Sequence, residues 1–401
     1  MLEEALRQTK EYQRLREALA GGRSPVALFG LPPAARAQAA AALAADLGRP
    51  AVVLTAGEAE ATRFAADAAF FGARSAVCPA RDFALRPTLG QSREFEYRRI
   101  AVLGNIVGGR CNLLAAPLEG ALQLTMPRAD FEANTLTLRE GQTFRQQDLV
   151  ARLVSAGYHR RDKVEGPGQF SVRGGIVDLY PPDMDRPARI EFWGDVVDTM
   201  SGFDLLTQRR EVQLKKVYVS PAREVLFSDP AEAAALLRDA AARLKGAKRA
   251  RLESVMAEDL AALDAGTLPE HMDKYLALRY AQPMTALDYF EDPLFFFEEP
   301  SAVREAARAL AFRTGEELKG LLEQQVLTAE LARFYEDYDE LLWRADKAPA
   351  VVCGQGPRRG VRKFFPHPAG FSAQRAGQRH RPRPARLGGR GEVAGGGPAK
   401  L

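Results

Sequence analysis

The stretch Gly166–Arg210 alternates apolar and polar residues with a period of two, which constrains its fold more than any other part of the chain. In Gln169–Arg173, Phe170 and Val172 point one way and Ser171 and Arg173 the other. In Arg189–Trp193, Ile190 and Phe192 share a face opposite Arg189, Glu191 and Trp193. Such a pattern marks strands with one buried face. Gly174-Gly175 and Gly194-Asp195 fall between runs, where tight turns need positive φ. Pro181-Pro182 and Pro187 interrupt what would otherwise be continuous strands. The expected unit is a small, mainly antiparallel sheet. It offers no nucleophile beside a base and no metal spacing. Arginines and aromatics on its outer face suit it to holding a partner.

With 401 residues the chain has room for two or three domains. Its 46% hydrophobic and 27% charged residues are those of a globular protein. No apolar run approaches the roughly 20 residues of a membrane span, and the charged N-terminus is unlike a signal peptide. Cys78, Cys111 and Cys353 are too scattered for a disulfide framework or a zinc site, which points to a reducing cytoplasm. The formal charge of +4 conceals an asymmetry. Residues 1–352 hold 45 of the 56 basic and 51 of the 52 acidic side chains, so the body of the chain is mildly acidic. Whole-chain basicity is therefore no argument for nucleic-acid binding.

Residues 2–20 read as an amphipathic helix stopped by Gly21-Gly22. An α/β rhythm follows, with strands at Val26–Phe29, Ala51–Leu54, Ala76–Cys78 and Asn112–Ala115. Helices at Ala34–Leu47, Glu58–Ala69 and near Glu94–Val107 separate them. Short apolar strands alternating with helices imply a parallel sheet with helices on its faces. Leu136–Leu138, a helix near Gln146–Ser155 and a strand at Val212–Val219 flank the small sheet. Asp229–Leu263 and Val303–Trp343 read as helical, with a strand at Leu294–Phe297 between them. Near Val352 the texture breaks into an Arg/Gly/Pro-rich segment with one acidic residue, Glu392. Such a segment buries too little apolar surface to fold. It reads either as a basic tail that touches nucleic acid or as the product of a frameshift.

Gly30–Ala37 (GLPPAARA) follows a strand and opens a helix, where a phosphate-binding loop would sit. Against G-x-x-x-x-G-K-[ST], Gly30 is retained, Ala35 stands at the second glycine, Arg36 at the lysine and Ala37 at the hydroxyl position. Pro32 and Pro33 remove two of the N–H groups such a loop presents to phosphate. Ala37 has no oxygen for Mg²⁺, and Arg36 keeps charge without the compact ammonium. Leu294–Phe297 leads into Glu298-Glu299-Pro300, an acidic strand end of the kind that positions Mg²⁺ and water in P-loop ATPases. Both halves of this site are altered, so productive ATP binding is not expected.

Taken together these segments resemble the N-terminal, UvrB-like module of the bacterial transcription-repair coupling factor family (Mfd). VRGGIVDLYPP, ARIEFWGDVVDTMSGFD and TQRR look like the part of UvrB and its relatives that docks onto UvrA. TALDYFEDPLFFFEEPSAV, Thr285–Val303, looks like the UvrB segment carrying the acidic ATPase motif. The coupling factor is the better match than UvrB because the phosphate loop is degenerate. In addition, Cys78–Arg99 is short and has only Tyr97 where UvrB carries a long, tyrosine-rich hairpin.

The resemblance implies a P-loop-like parallel α/β domain with a degenerate nucleotide site, an inserted small antiparallel β domain and a helical second α/β domain. The implied partition is an N-terminal helix at 1–25 packing on the third domain, the degenerate domain at 26–127, and the UvrA-binding-like domain at 128–211. An α/β-helical domain at 212–350 and a disordered basic tail at 351–401 complete it. By motif, the UvrA-facing residues are Arg160, Arg161 and Arg173, with Phe170 and Tyr180 beside them. From the strand pattern, Phe170 and Tyr180 could instead pack inside the sheet, and the arginines could pair with Asp162, Asp178 or Glu191. Gly30, Ala35, Arg36, Ala37, Glu298 and Glu299 form the degenerate nucleotide site. The implied function is recruitment of UvrA by a monomeric, non-catalytic cytoplasmic module that needs no cofactor or metal. Contacts with RNA polymerase and DNA would belong to other parts of the family protein. The alternative is a UvrB-like DNA-repair ATPase or helicase fragment with residual nucleotide or DNA binding.

Overall fold

The protein is described by a computed structural model covering residues 2–86 and 92–354. Part of the Cys78–Arg99 segment, and the basic tail from position 355 onward, lie outside the described residues. Two sheets organise the structure. Strands β1 (Val26–Phe29), β2 (Ala51–Thr55), β3 (Ser75–Val77) and β4 (Leu113–Pro117) belong to the first. The second comprises β5 (His159–Arg160), β6 (Gln169–Arg173), β7 (Ile176–Leu179), β8 (Ala188–Trp193), β9 (Val196–Phe203) and β10 (Arg210–Gln213). Late in the chain, β11 (Leu294–Glu298) and β12 (Ala350–Gly354) return to the first sheet.

The first sheet has the order β1-β12-β11-β2-β4-β3, and every pairing in it is parallel. Its central strands are buried on both faces, which is why β2 (AVVLT) and β4 (LLAAP) read as continuous apolar runs. Alternate residues of β2 feed two cores. Val53 meets the Ala-rich helix Pro33–Leu47 together with Leu43 and Phe64, whereas Val52 and Leu54 meet Ile100, Leu103 and Phe297. The alanines allow the first helix to lie close to the strands. Gly48, in the left-handed region at φ 62°, closes that helix.

This topology corrects the expected partition. β11 and β12 lie inside the sheet begun by β1 to β4, so residues 212–350 do not form a separate α/β domain. The expected tail boundary at 351 is too early, because Val351, Val352 and Cys353 are buried in β12. The N-terminal helix is two helices, Leu2–Arg7 and Lys10–Ala20, parted where the Thr9 side chain caps the second. Tyr12, Leu15 and Leu19 share a core with the alanine-rich helix and with Leu294 and Phe296 of β11. Tyr12 and Arg7 both bond to Asp46, which holds this segment against helix Pro33–Leu47.

The second sheet has the order β10-β9-β8-β7-β6-β5 and is antiparallel except for β5 beside β6. Its apolar face, with Phe170, Val177, Leu179, Ile190 and Met200, covers Leu149 and Leu153 of helix Gln146–Ser155. Lys216–Val219 pairs with Leu136–Arg139 beside it. Helices Pro230–Ala242, Gly246–Asp264 and Pro300–Glu323 pack on the first sheet's second core.

A buried ionic cluster ties these parts together. Glu224, fully buried after the small domain, accepts from Arg99 Nε at 2.8 Å and lies 3.1 Å from Arg81 Nε. Arg99 also donates to the carbonyls of Pro79 (2.9 Å) and Gly120 (3.0 Å), and Arg81 donates to Asp273 at 2.6 Å. Glu224→Ala should therefore cost about 3–5 kcal/mol, because it leaves buried guanidinium groups without their carboxylate. Urea unfolding measures this, and a loss below about 1 kcal/mol would remove the cluster from the stability argument. Asp259 is a second such centre. It accepts from His271 at 2.7 Å, from Lys274 at 2.6 Å and from the Tyr275 hydroxyl. Burial alone would raise its carboxyl, but these donors hold it down, from 3.8 to about 2. A depressed carboxylate stabilises the fold above its unfolded value and loses that effect as pH falls from about 4 to about 2. Asp259→Asn should flatten the stability profile in that window, as measured by thermal melts across pH.

Candidate functional site

At the carboxyl ends of β1, β11 and β12, the two halves of the expected nucleotide site meet. Gly30 turns the chain at φ 83°, and its N–H donates to the Gly354 carbonyl at 3.3 Å. Pro32 caps the following helix and Pro33 begins it, while the N–H groups of Ala35 and Arg36 turn back to the Pro32 carbonyl. Ala37 is wholly buried. Arg36, with 1% of its surface exposed, projects between the loop and the end of β11. Its Nε donates to the Leu31 carbonyl at 2.8 Å, and its Nη1 donates to Glu299 at 2.9 Å and to Glu298. Glu299 itself stands in the left-handed region at φ 50°, with its N–H on the Cys353 carbonyl.

The electrostatics follow from this packing. Burial disfavours the Arg36 cation, but Glu298 and Glu299 outweigh it and its pKa is raised. Burial raises the carboxyl of Glu298, against the pull of Arg36. The position that lysine takes in a phosphate loop thus carries a guanidinium tied to the acidic strand end.

The second group of sequence-predicted residues lies on the small sheet. Arg160 and Arg161 are exposed at its β5 edge. Beside them His159 is half-buried, its Nε2 2.7 Å from Arg223, and burial lowers its pKa. Arg173 is about half-exposed at the end of β6 and donates to the buried Asp178 at 2.6 Å. Tyr180 is half-buried, its hydroxyl 3.2 Å from the Asp185 carbonyl. Phe170 must be corrected: it is fully buried, paired across the strands with Leu179, and belongs to the small-domain core. Helix Gln146–Ser155 covers that face, so the ring is not available to a partner.

Asp178 was one of the pairing alternatives for Arg173, but sequence reasoning missed the part of Arg189 in holding it. Asp178, 1% exposed, also accepts from Arg189 Nε at 2.7 Å and Nη2 at 2.9 Å. The Arg189 guanidinium in turn lies 4.7 Å from the centre of the Phe203 ring. The signal was present as Asp178 and Arg189 at facing positions of adjacent strands, but it needs the register to be read.

Comparison with known proteins agrees with this layout. Residues 136–225, which include the whole second sheet, match the UvrB interaction domain family. The chain is 26% identical over 329 residues to the transcription-repair-coupling factor of Bacillus subtilis (strain 168), covering 80% of this chain and 28% of that protein. It is 31% identical over 297 residues to the transcription-repair-coupling factor of Myxococcus xanthus, covering 70% of this chain and 24% of that protein. The chain thus spans about a quarter of the length of these relatives. It carries a UvrB interaction domain and is related over most of its length to the transcription-repair-coupling factors.

Removing Arg36 should leave Glu298 and Glu299 facing each other at a partly buried strand end. Arg36→Ala is expected to lose about 3–5 kcal/mol at pH 7. The loss should shrink as pH falls toward 5, because a carboxyl raised in the folded state takes up its proton before the unfolded chain does. Chemical denaturation at the two pH values measures this.

Proposed function

We propose that this chain is a non-catalytic docking module acting in transcription-repair coupling, and that it recruits UvrA through the outer edge of the small sheet at Arg160, Arg161, Arg173 and Tyr180. The observation that carries the reading is the match of residues 136–225 to the UvrB interaction domain, combined with exposed arginines at the β5 edge and at the end of β6. Arginines with an aromatic beside them are the usual composition of an energetic hot spot. RNA polymerase and DNA would be engaged through other parts of the relatives' length, of which this chain spans about a quarter.

The module reads as non-catalytic because Arg36 already occupies the degenerate P-loop-like site. A phosphate would have to compete with Glu298 and Glu299 for that guanidinium. It would also meet two carboxylates without a hydroxyl at Ala37 to help place Mg²⁺. No helix among the described residues is long and apolar enough to cross a membrane.

The test is binding to purified UvrA, with Arg173→Glu and Arg160→Glu as variants. Each should weaken binding at least tenfold while leaving the melting temperature within a few degrees. Unchanged affinity in both variants removes this surface. A thermal shift on adding millimolar ATP with Mg²⁺, abolished by Glu298→Gln, would favour the ATPase reading instead.

A further inference from the structure

The outer face of the small sheet continues beyond Arg173. Arg173 pairs with Ile176, and Ile176 pairs with Glu191, so these three form one row across β6, β7 and β8. Trp193 follows two residues after Glu191 on the same face of β8. The Phe192 N–H donating to the Gly175 carbonyl at 2.8 Å keeps that end of β8 in line with the β6–β7 turn. Strand geometry puts Trp193 roughly 10 Å across the sheet and about 7 Å along it from Arg173. Its indole is 81% exposed, and Val196, directly opposite on β9, is also exposed. On the far flank Arg210, about half-exposed, is paired with Glu191, which also accepts from the Thr199 hydroxyl at 3.2 Å.

The two arginines share one design. Each is half-exposed and tethered on one side by a carboxylate of the sheet, Asp178 for Arg173 and Glu191 for Arg210. Asp178 is itself immobilised by the two bonds from Arg189. The tethers hold the guanidinium groups in place before any partner arrives, which lowers the entropy lost on binding. An exposed tryptophan on the same face as two tethered arginines combines the residue types that dominate binding energy. Asp195 and Asp198 are exposed on the β8–β9 hairpin beside the indole, and they disfavour a phosphate backbone or an anionic membrane there.

Resting on the docking reading above, we infer that the UvrA-facing surface extends from Arg173 to Trp193 and Arg210. The partner surface it fits is an apolar notch for the indole, flanked by carboxylates that accept from the two arginine forks. Asp178 is the positioning residue for Arg173.

The experiment compares the full chain and its variants in binding to purified UvrA by titration calorimetry, with thermal melts of each. Trp193→Ala should weaken binding about thirtyfold and leave the melt unchanged, since the side chain is exposed. Trp193→Phe should recover part of the loss. Asp178→Asn should weaken binding in the native chain but not in an Arg173→Ala background, and Asp178→Glu provides a milder change if the asparagine variant does not fold. If Arg173→Ala weakens binding while Trp193→Ala stays within twofold, the extension is overturned and the docking reading survives. If neither variant changes binding, the docking reading fails with it. An Asp178→Asn loss of equal size in both backgrounds overturns the tether. A Trp193→Ala effect on a duplex DNA oligonucleotide, with none on UvrA, also overturns the proposal.

Discussion

Glu224 is the point on which the arrangement of the chain turns. One fully buried carboxylate faces two buried guanidinium groups, Arg99 from a helix of the parallel-sheet body and Arg81 from the segment after β3. Glu224 itself belongs to the segment that leaves the small domain. Its backbone N–H is taken by Glu96, and Arg81 goes on to Asp273. Four stretches of chain, around positions 81, 96–99, 224 and 273, therefore converge on one desolvated cluster. Such a cluster adds little net stability over an apolar core of the same shape, but it tolerates very few alternative positions. The small sheet is thus fixed at one place and angle relative to the body, and the exposed face that carries Arg173 inherits that orientation.

The two acidic centres are handled differently. At the strand end, two carboxylates face a single guanidinium, so the local charge is negative and Glu298 is held against its own tendency to protonate. At the small sheet, two arginines share the single carboxylate of Asp178, leaving local positive charge on the surface. The first arrangement ties a buried cation to the acidic strand end. The second keeps a cation available by giving it a companion. The same residue pair, arginine with a buried acid, serves opposite ends because the stoichiometry is reversed.

Much of this was legible in the sequence. The period of two in Gly166–Arg210 identified the small sheet, and a helix lies where one was expected near Gln146–Ser155. Arg36 and Glu298-Glu299 were grouped by motif as two halves of one site, but the ion pair between them was not foreseen. Phe170 shows the limit. Its alternation with Val172 pointed inward, while the motif that surrounds it pointed to the partner surface, and burial by a helix decided the matter. The return of β11 and β12 to the first sheet was not legible, because an apolar strand carries no record of the sheet it joins. Buried arginines such as Arg81 and Arg99 were also invisible, since nothing local separates them from solvated ones.

The late return of β12 has a consequence for how the chain assembles. Among the described strands β1 pairs only with β12, Val26 lying beside Val351. While the polypeptide emerges from the ribosome, the alanine-rich helix can settle on β2, but β1 has no described strand to pair with. It must wait until almost the whole domain has been made. That pairing is among the least local contacts a domain can contain, and such contacts slow folding and prolong exposure of apolar strands. An early halt in synthesis before position 350 would release a product whose first strand is orphaned, however complete the small second sheet had become.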